Sequence, residues 1–273
     1  MKKLVYLFAM FLMLTSCGEY QNVLNKGSVE DQYKMAVKMY EANKYGKALR
    51  LFEKITTSYR GKPQMERIQY MVANSNFNEK NYSLAGYYFN RFTQNYPKSS
   101  KKEEADFLSA LSYYKAAPRF SLDPTDTNKA LEAFQTFIDS YPNSSRMEEA
   151  NKYYKELRYK LEKKSFEIAK TYYRTADYDS RNYKAAIVAF DNLLEDYLGT
   201  QFKEEALYYR FKAAHDFALK STRRRRVERI KEAEKAYDKL IRNFPKSQFL
   251  DESNQMLSVL RKEKEQLQPV IKS

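Results

Sequence analysis

The sequence predicts an all-α fold, a linear array of about five helical hairpins closed by one further helix. Three observations predict it. Glycine and proline are scarce, at six and seven residues in 273. Lys, Glu, Ala, Leu and Tyr dominate instead, which favours helices over an all-β fold. An aromatic–alanine–aromatic pattern then recurs at i, i+3, i+7, the spacing that places three side chains on one helix face. Finally, every second copy of the pattern ends in an aromatic that three times precedes proline.

The first helices of the hairpins carry Tyr33-Ala36-Tyr40, Tyr70-Ala73-Phe77, Phe107-Ala110-Tyr114 and Phe166-Ala169-Tyr173, with Phe211-Ala214-Ala218 as a degenerate fifth. The second helices carry Tyr45-Ala48-Phe52, Tyr82-Ala85-Phe89, Thr127-Ala130-Phe134, Tyr183-Ala186-Phe190 and Ile230-Ala233-Tyr237. Seven residues after each stands Tyr59, Tyr96, Tyr141, Tyr197 or Phe244. Pro97, Pro142 and Pro245 follow three of these and end the helix, because proline lacks the N–H and clashes with the preceding turn. Ser100-x-x-Glu103 and Ser145-x-x-Glu148 read as capping boxes that open the next helix. The third hairpin holds extra residues around Pro118 to Thr127, read as a loop. Glu148–Lys164 has no break, so the fourth hairpin starts with a long helix. Gln248–Gln266 is a polar closing helix of the kind a helical array needs to shield the end of its core.

The Ala-x-x-x-Phe…Pro spacing resembles the tetratricopeptide repeat (TPR), in which the small residue lets two helices approach and the large one fills the gap. The pattern departs from that family at three points. Its tryptophan is absent, and bulky Phe92 and Phe137 stand where a small residue is usual.

The amino terminus carries a different signal. Lys2-Lys3, an apolar stretch from Leu4 to Met13 and then Leu14-Thr15-Ser16-Cys17 make a secretory leader, too short for the ~20 apolar residues of a membrane span. Leu14-Thr15-Ser16-Cys17 resembles the lipobox of bacterial lipoproteins. That resemblance implies cleavage before Cys17 and lipidation of Cys17, with two or more acyl chains giving stable anchoring. The competing reading is an ordinary signal peptide beside a chance thiol. Cys17 is the single cysteine, so no intramolecular disulfide is available. The chain then divides into a signal peptide (1–16), a lipidated linker (17–29), N-terminal repeats (30–117), C-terminal repeats with the closing helix (118–267) and a tail (268–273).

The middle of the chain narrows the family. Asp123-Pro124 precedes Ala130-x-x-x-Phe134-x-x-Phe137-Ile138 and Tyr141-Pro142-Asn143-Ser144; Arg158-x-x-Leu161 and Phe166-x-x-Ala169-x-x-Tyr172-Tyr173 follow. The succession resembles the BamD family, the TPR lipoproteins of the outer-membrane β-barrel assembly machinery, best over about residues 118–200. The resemblance implies a non-enzymatic scaffold without cofactor, facing the periplasm from the outer membrane. Its implied partners are the barrel-inserting subunit, through its periplasmic domains, and unfolded β-barrel precursors. It also implies that Tyr33, Tyr40, Tyr70 and Phe77 of the first repeats contribute to precursor binding. A TPR lipoprotein that coordinates envelope constriction, peptidoglycan or division factors is the alternative, and a glycan-capture lipoprotein ranks behind both.

No catalytic or metal constellation is legible. His215 is the only histidine and follows two alanines on a helix, the setting of a packed or surface residue. The carboxylate pairs Glu103-Glu104, Glu148-Glu149 and Glu204-Glu205 each open a helix, where acids complement the dipole. Asp123-x-x-Asp126 falls far short of a calcium ligand set. The net charge of +14 could suit nucleic acid, but a secreted lipoprotein rarely meets any; lipid or an acidic protein face fits better. Two features stay open. The four aromatics named above belong either to the core or to a binding face. Arg223-Arg224-Arg225-Arg226, read between the helices of the fifth hairpin, is either a solvated turn or a docking patch, since arginine forks pair bidentately with carboxylate or phosphate.

Overall fold

The computed structural model describes residues 18–267, and Cys17 and its lipidation lie outside the described residues. The described chain is 79% helical and without strands, the all-α, TPR-like array of helical hairpins expected. Its contacts form two compact units, Met1–Leu157 and Arg158–Ser273, and the division falls inside a long helix.

In the first unit, α1 spans residues 18–26. The helices α2 (Val29–Glu41), α3 (Tyr45–Ile55), α4 (Gln64–Asn78), α5 (Tyr82–Asn95), α6 (Lys102–Ala116) and α7 (Thr125–Ser140) follow, each of α2 to α6 packing on the next. Helix α8 (Met147–Thr175) starts here and runs 29 residues, the long helix that the unbroken Glu148–Lys164 pattern predicts. The second unit holds the rest of α8, then α9 (Arg181–Asp196), α10 (Lys203–Leu219), α11 (Arg223–Asn243) and the closing α12 (Leu250–Leu267).

The pattern alanines explain the packing. Ala36, Ala48, Ala73, Ala85, Ala110, Ala130, Ala169, Ala186 and Ala233 are all at 0% exposure. A methyl there lets neighbouring backbones close, and Phe52, Phe89, Phe134 and Phe190, equally buried, fill the space one turn on. Phe92 and Phe137, where a small residue was expected, are fully buried as well. Phe92 lies 5.6 Å from Tyr70 and 5.4 Å from Tyr96, and Phe137 lies 5.4 Å from Phe107, ring to ring.

One turn joins successive hairpins throughout. The N–H of Lys62, Ser99, Ser144, Thr200 and Ser247 donates to the carbonyl of Tyr59, Tyr96, Tyr141, Tyr197 and Phe244 respectively, at 2.9–3.1 Å. Three of these turns have proline second. The other two have glycine third, Gly61 at φ +77 and Gly199 at φ +78, the left-handed backbone a type II turn requires.

Several details correct the sequence reading. The serines that serve the helix starts are Ser99 and Ser144, whose Oγ atoms each accept from the N–H two residues on at 3.1 Å. Neither Ser100 nor Ser145 forms the expected box, because α6 starts only at Lys102 with no side-chain cap and Ser144 already holds the Arg146 N–H. The loop of the third hairpin ends before Thr125; Thr127 is a buried residue of α7. Helix α1 occupies what reads as linker, because Tyr20 supplies a core anchor at 4% exposure. The arginine run is no loop: Arg223 is the first residue of α11.

Candidate functional site

Helix α4 exposes two differently built faces. On one, Glu66, Arg67, Tyr70 and Met71 meet Tyr40 from α2, Phe92 from α5 and Lys101 before α6, around a concavity of about 430 Å³. On the other, Met65, Ile68 and Val72 form the floor of an apolar groove of about 460 Å³ between α3 and α5, with Tyr88, Arg91 and Tyr96 beside it.

The first concavity collects two of the four candidate aromatics, Tyr40 and Tyr70. Both are half-buried and fixed by edge-on ring contacts, Tyr40 with Tyr45 at 5.7 Å and Tyr70 with Phe89 at 6.0 Å. Burial, with the nearby Tyr45 and Glu104, pushes the Tyr40 hydroxyl up to about 12. Burial and then Glu104 raise that of Tyr70 further. Both are therefore neutral O–H groups at physiological pH. Lys101 Nζ lies 5.4 Å from the Tyr70 ring centre and 2.8 Å from Glu104. Burial works to raise the Glu104 carboxyl, but hydrogen bonds from Lys101 and Tyr70 outweigh it and hold the group below its usual range. Arg67 pairs with Glu41 at 3.3 Å across the α2–α4 seam. The result is an aromatic floor whose Tyr70 hydroxyl is committed to Glu104, with the Tyr40 hydroxyl beside it and a rim of paired charges.

The other two candidates lie elsewhere. Tyr33 packs on Tyr59 at 5.2 Å. Phe77 meets Tyr82 at 5.6 Å, and Lys115 Nζ lies 6.0 Å and 5.7 Å from these two rings. All four also pack against the cores of their hairpins, so core and face are not exclusive at these positions. Sequence reasoning missed Arg67 and Lys101. Arg67 stands one turn before Tyr70, a spacing that could have flagged it; Lys101 lies outside the repeat pattern and gave no such signal.

In the second unit the arginine run splits. Arg223, Arg224 and Arg225 are exposed, in a helical first turn without acidic residues, where the dipole disfavours cations. Arg226 is half-buried and structural: its Nη2 and Nε donate to the Ser221 carbonyl at 2.8 and 3.2 Å, and it pairs with Glu263 of α12. His215 is 8% exposed with Nδ1 2.8 Å from Asp216, a packed residue. Among the described residues no group of three or more His, Cys, Asp or Glu could hold a metal, and no helix is long and apolar enough to cross a membrane.

The fold defines a class, an all-α protein of TPR-like helical repeats. Residues 25–228 match the YfiO family, described as outer membrane lipoproteins. The chain belongs to this BamD-like family, which is associated with the outer membrane and is not a known enzyme family. It is also similar to the putative outer membrane protein assembly factor BamD of Aquifex aeolicus (strain VF5), with 31% identity over 202 residues. That match takes in 73% of this chain and 64% of the relative, so the chain spans slightly under two thirds of the relative's length. Two solved structures align with 14% identity each. A computationally designed self-assembling cyclic homo-oligomer covers 98% of this chain and 97% of its own at TM-score 0.21. The DHF58 filament covers 97% and 95% at TM-score 0.16. Superpositions that loose carry no argument.

Proposed function

We propose that this protein is a lipid-anchored scaffold of outer-membrane protein assembly, facing the periplasm, that binds the barrel-inserting subunit and receives unfolded β-barrel precursors. The observation that carries the reading is the family match over residues 25–228. It takes in α2, α4 and α5, which line the Tyr40–Tyr70 concavity, and the arginines at the start of α11.

The concavity has the chemistry a precursor needs. An unfolded barrel strand is extended, alternates aromatic side chains and ends in an aromatic. Tyr40 and Tyr70 offer ring edges and faces, the Tyr40 hydroxyl can donate to a strand's carbonyl, and the Lys101–Glu104 pair borders the rings with polar groups. Tyr33 and Phe77 sit outside that concavity, so their part in precursor binding is at most peripheral. The partner-docking role falls to Arg223, Arg224 and Arg225, whose unfavourable place on the helix dipole a partner's carboxylates would relieve. Arg226 is committed to Glu263 and Ser221.

Photoreactive residues at positions 40 and 70 test the precursor site, with barrel precursors as the expected crosslinked species. Crosslinks arising only from the second unit would remove it. Changing Arg223, Arg224 and Arg225 to serine is expected to weaken binding to the barrel-inserting subunit, most at low salt. A pull-down that returns division or peptidoglycan factors in place of that subunit would favour the envelope-constriction scaffold.

A further inference from the structure

The described chain is helical from residue 18, the residue covalently bonded to Cys17. Helix α1 is clamped onto the first hairpin at both ends. Tyr20 is buried, and its hydroxyl donates to the Lys47 carbonyl at 3.1 Å. Val23 and Leu24 pack on the same core. Lys54 Nζ donates to the Leu24 carbonyl at 2.7 Å, and Gln32 Nε2 lies 3.3 Å from the carbonyls of both Val23 and Leu24. Only three residue steps separate Cys17 from buried Tyr20, a span of at most about 11 Å. That is on the order of the Debye length, about 8 Å at physiological salt.

The surface held at that distance is basic. Lys47, Arg50 and Lys54 recur along α3 beside α1, Lys44 stands at the N-cap of α3, and Lys26 closes α1. Lys47 Nζ lies 5.0 Å from the Tyr20 ring centre, and the charge of Arg50 is felt at the Tyr20 hydroxyl. Glu19, the acid of α1, is matched by Lys38 at 3.2 Å. Lys26, Lys44 and Arg50 are exposed and form no ion pair among the described residues.

We propose that the Lys44–Lys47–Arg50–Lys54 stripe seats on the phosphates of anionic phospholipid headgroups, so that the first hairpin is mounted on the bilayer and does not swing from a linker. This rests on acylation of Cys17. The acyl chains hold the amino terminus in the membrane and set the distance; the stripe fixes which face of the first hairpin meets the surface. Lysine and arginine both suit phosphate, and the lysines reach it on flexible stems.

The test uses the acylated full-length protein in phosphatidylcholine vesicles, with and without phosphatidylglycerol. Gln21→Cys carries a fluorophore, since acylation occupies Cys17, and a headgroup-borne quencher reports proximity. Quenching should be stronger with phosphatidylglycerol, and the added Lys44→Glu and Arg50→Glu pair should abolish that gain. The helical signal should stay unchanged, because both side chains are exposed and unpaired. Quenching that ignores both lipid charge and the substitutions would overturn the seat. Mass spectrometry of Cys17 separates this from failure of the anchor. If Cys17 is not acylated, the anchor reading fails by itself, and the seat is judged on Cys17→Ser protein lacking residues 1–16. That protein should bind phosphatidylglycerol vesicles weakly and lose roughly tenfold or more on the double reversal. Binding that is absent, or unchanged by the reversal, would overturn the seat.

Discussion

The joint after α7 and the joint after α9 do the same task with different residues. In the first, Tyr141-Pro142-Asn143-Ser144 turns the chain, and Ser144 Oγ donates to Glu103 of α6 at 2.6 Å. In the second, Tyr197-Leu198-Gly199-Thr200 turns it, and Thr200 Oγ1 donates to Glu162 of α8 at 2.9 Å. The joint after α11 repeats the contact, with Ser247 Oγ 2.8 Å from Glu204 of α10. The proline is therefore dispensable. What recurs is a hydroxyl that ties the end of a hairpin to a glutamate on that hairpin's first helix. The two joints differ in burial. Glu162 and Thr200 are each 6% exposed, and Arg158 supports Glu162 at 2.9 Å while also reaching the Leu198 carbonyl at 2.9 Å. Glu103 lies at the surface.

If the joints are equivalent, the seams beside them should be equally tight. Ala130 and Ala186 are both fully buried, so Ala130→Leu and Ala186→Leu should each cost about 1–3 kcal/mol by overpacking. Denaturant unfolding checks this, and an unchanged midpoint for either variant would show that its seam has spare room. Burial should then separate the glutamates. Glu162→Ala strips a buried hydroxyl of its acceptor and leaves Arg158 without its carboxylate, an expected loss of about 2 kcal/mol, moderated because Arg158 keeps contact with water. Glu103→Ala should lose no more than about 0.5 kcal/mol. Equal losses would mean that burial does not set the strength of the tie.

The alanine–aromatic pattern made the hairpins legible because seam packing is a side-chain demand that repeats at helical spacing. Three of the joints were legible through Pro97, Pro142 and Pro245. The Gly61 and Gly199 joints were not, since a lone glycine carries no periodic signal and its meaning lies in a positive φ. Helix α1 went unseen because its apolar face, Tyr20, Val23 and Leu24, is a single short stretch without the alanine–aromatic pattern that marks the repeats. The capping serines were misread by one position, because adjacent serines at 99–100 and 144–145 fit two registers and only the turn geometry selects one. At the candidate site, Tyr40 and Tyr70 were legible as repeat aromatics, but their meeting in one concavity with Arg67 and Lys101 depends on how α2, α4 and α6 stack. The split of the arginine run was hidden for a similar reason. Glu263, the partner of Arg226, is 37 residues away.

The glycine joint can be probed at its third position. Gly199 has φ +78, and a Cβ there would meet nothing within 4 Å, so any penalty is conformational. Gly199→Ala should cost about 1–2 kcal/mol, the left-handed penalty for an L-residue. Gly199→Asn should cost less, because asparagine tolerates that region. A harmless alanine would show that the joint adopts a different turn in solution.

The smallest effect is the sharpest test of equivalence. Tyr197, which no proline follows, has φ −122 and ψ 71. Tyr141 and Phe244, which precede proline, have φ −131, ψ 59 and φ −136, ψ 75. The backbone before Leu198 is therefore already bent as it is before Pro142 and Pro245. Leu198 is 79% exposed, and its carbonyl, which accepts from Arg158, would survive in a proline. The second position of a type II turn takes a φ near −60°, the value proline imposes. Leu198→Pro should thus stabilise the protein by about 0.4–1 kcal/mol, chiefly by restricting the unfolded chain. For a chain of this size that is a rise of about 1–4 °C in Tm. A fall in Tm would show that Leu198 needs its N–H or a φ that proline forbids, and that the glycine joint is a separate solution to the same turn.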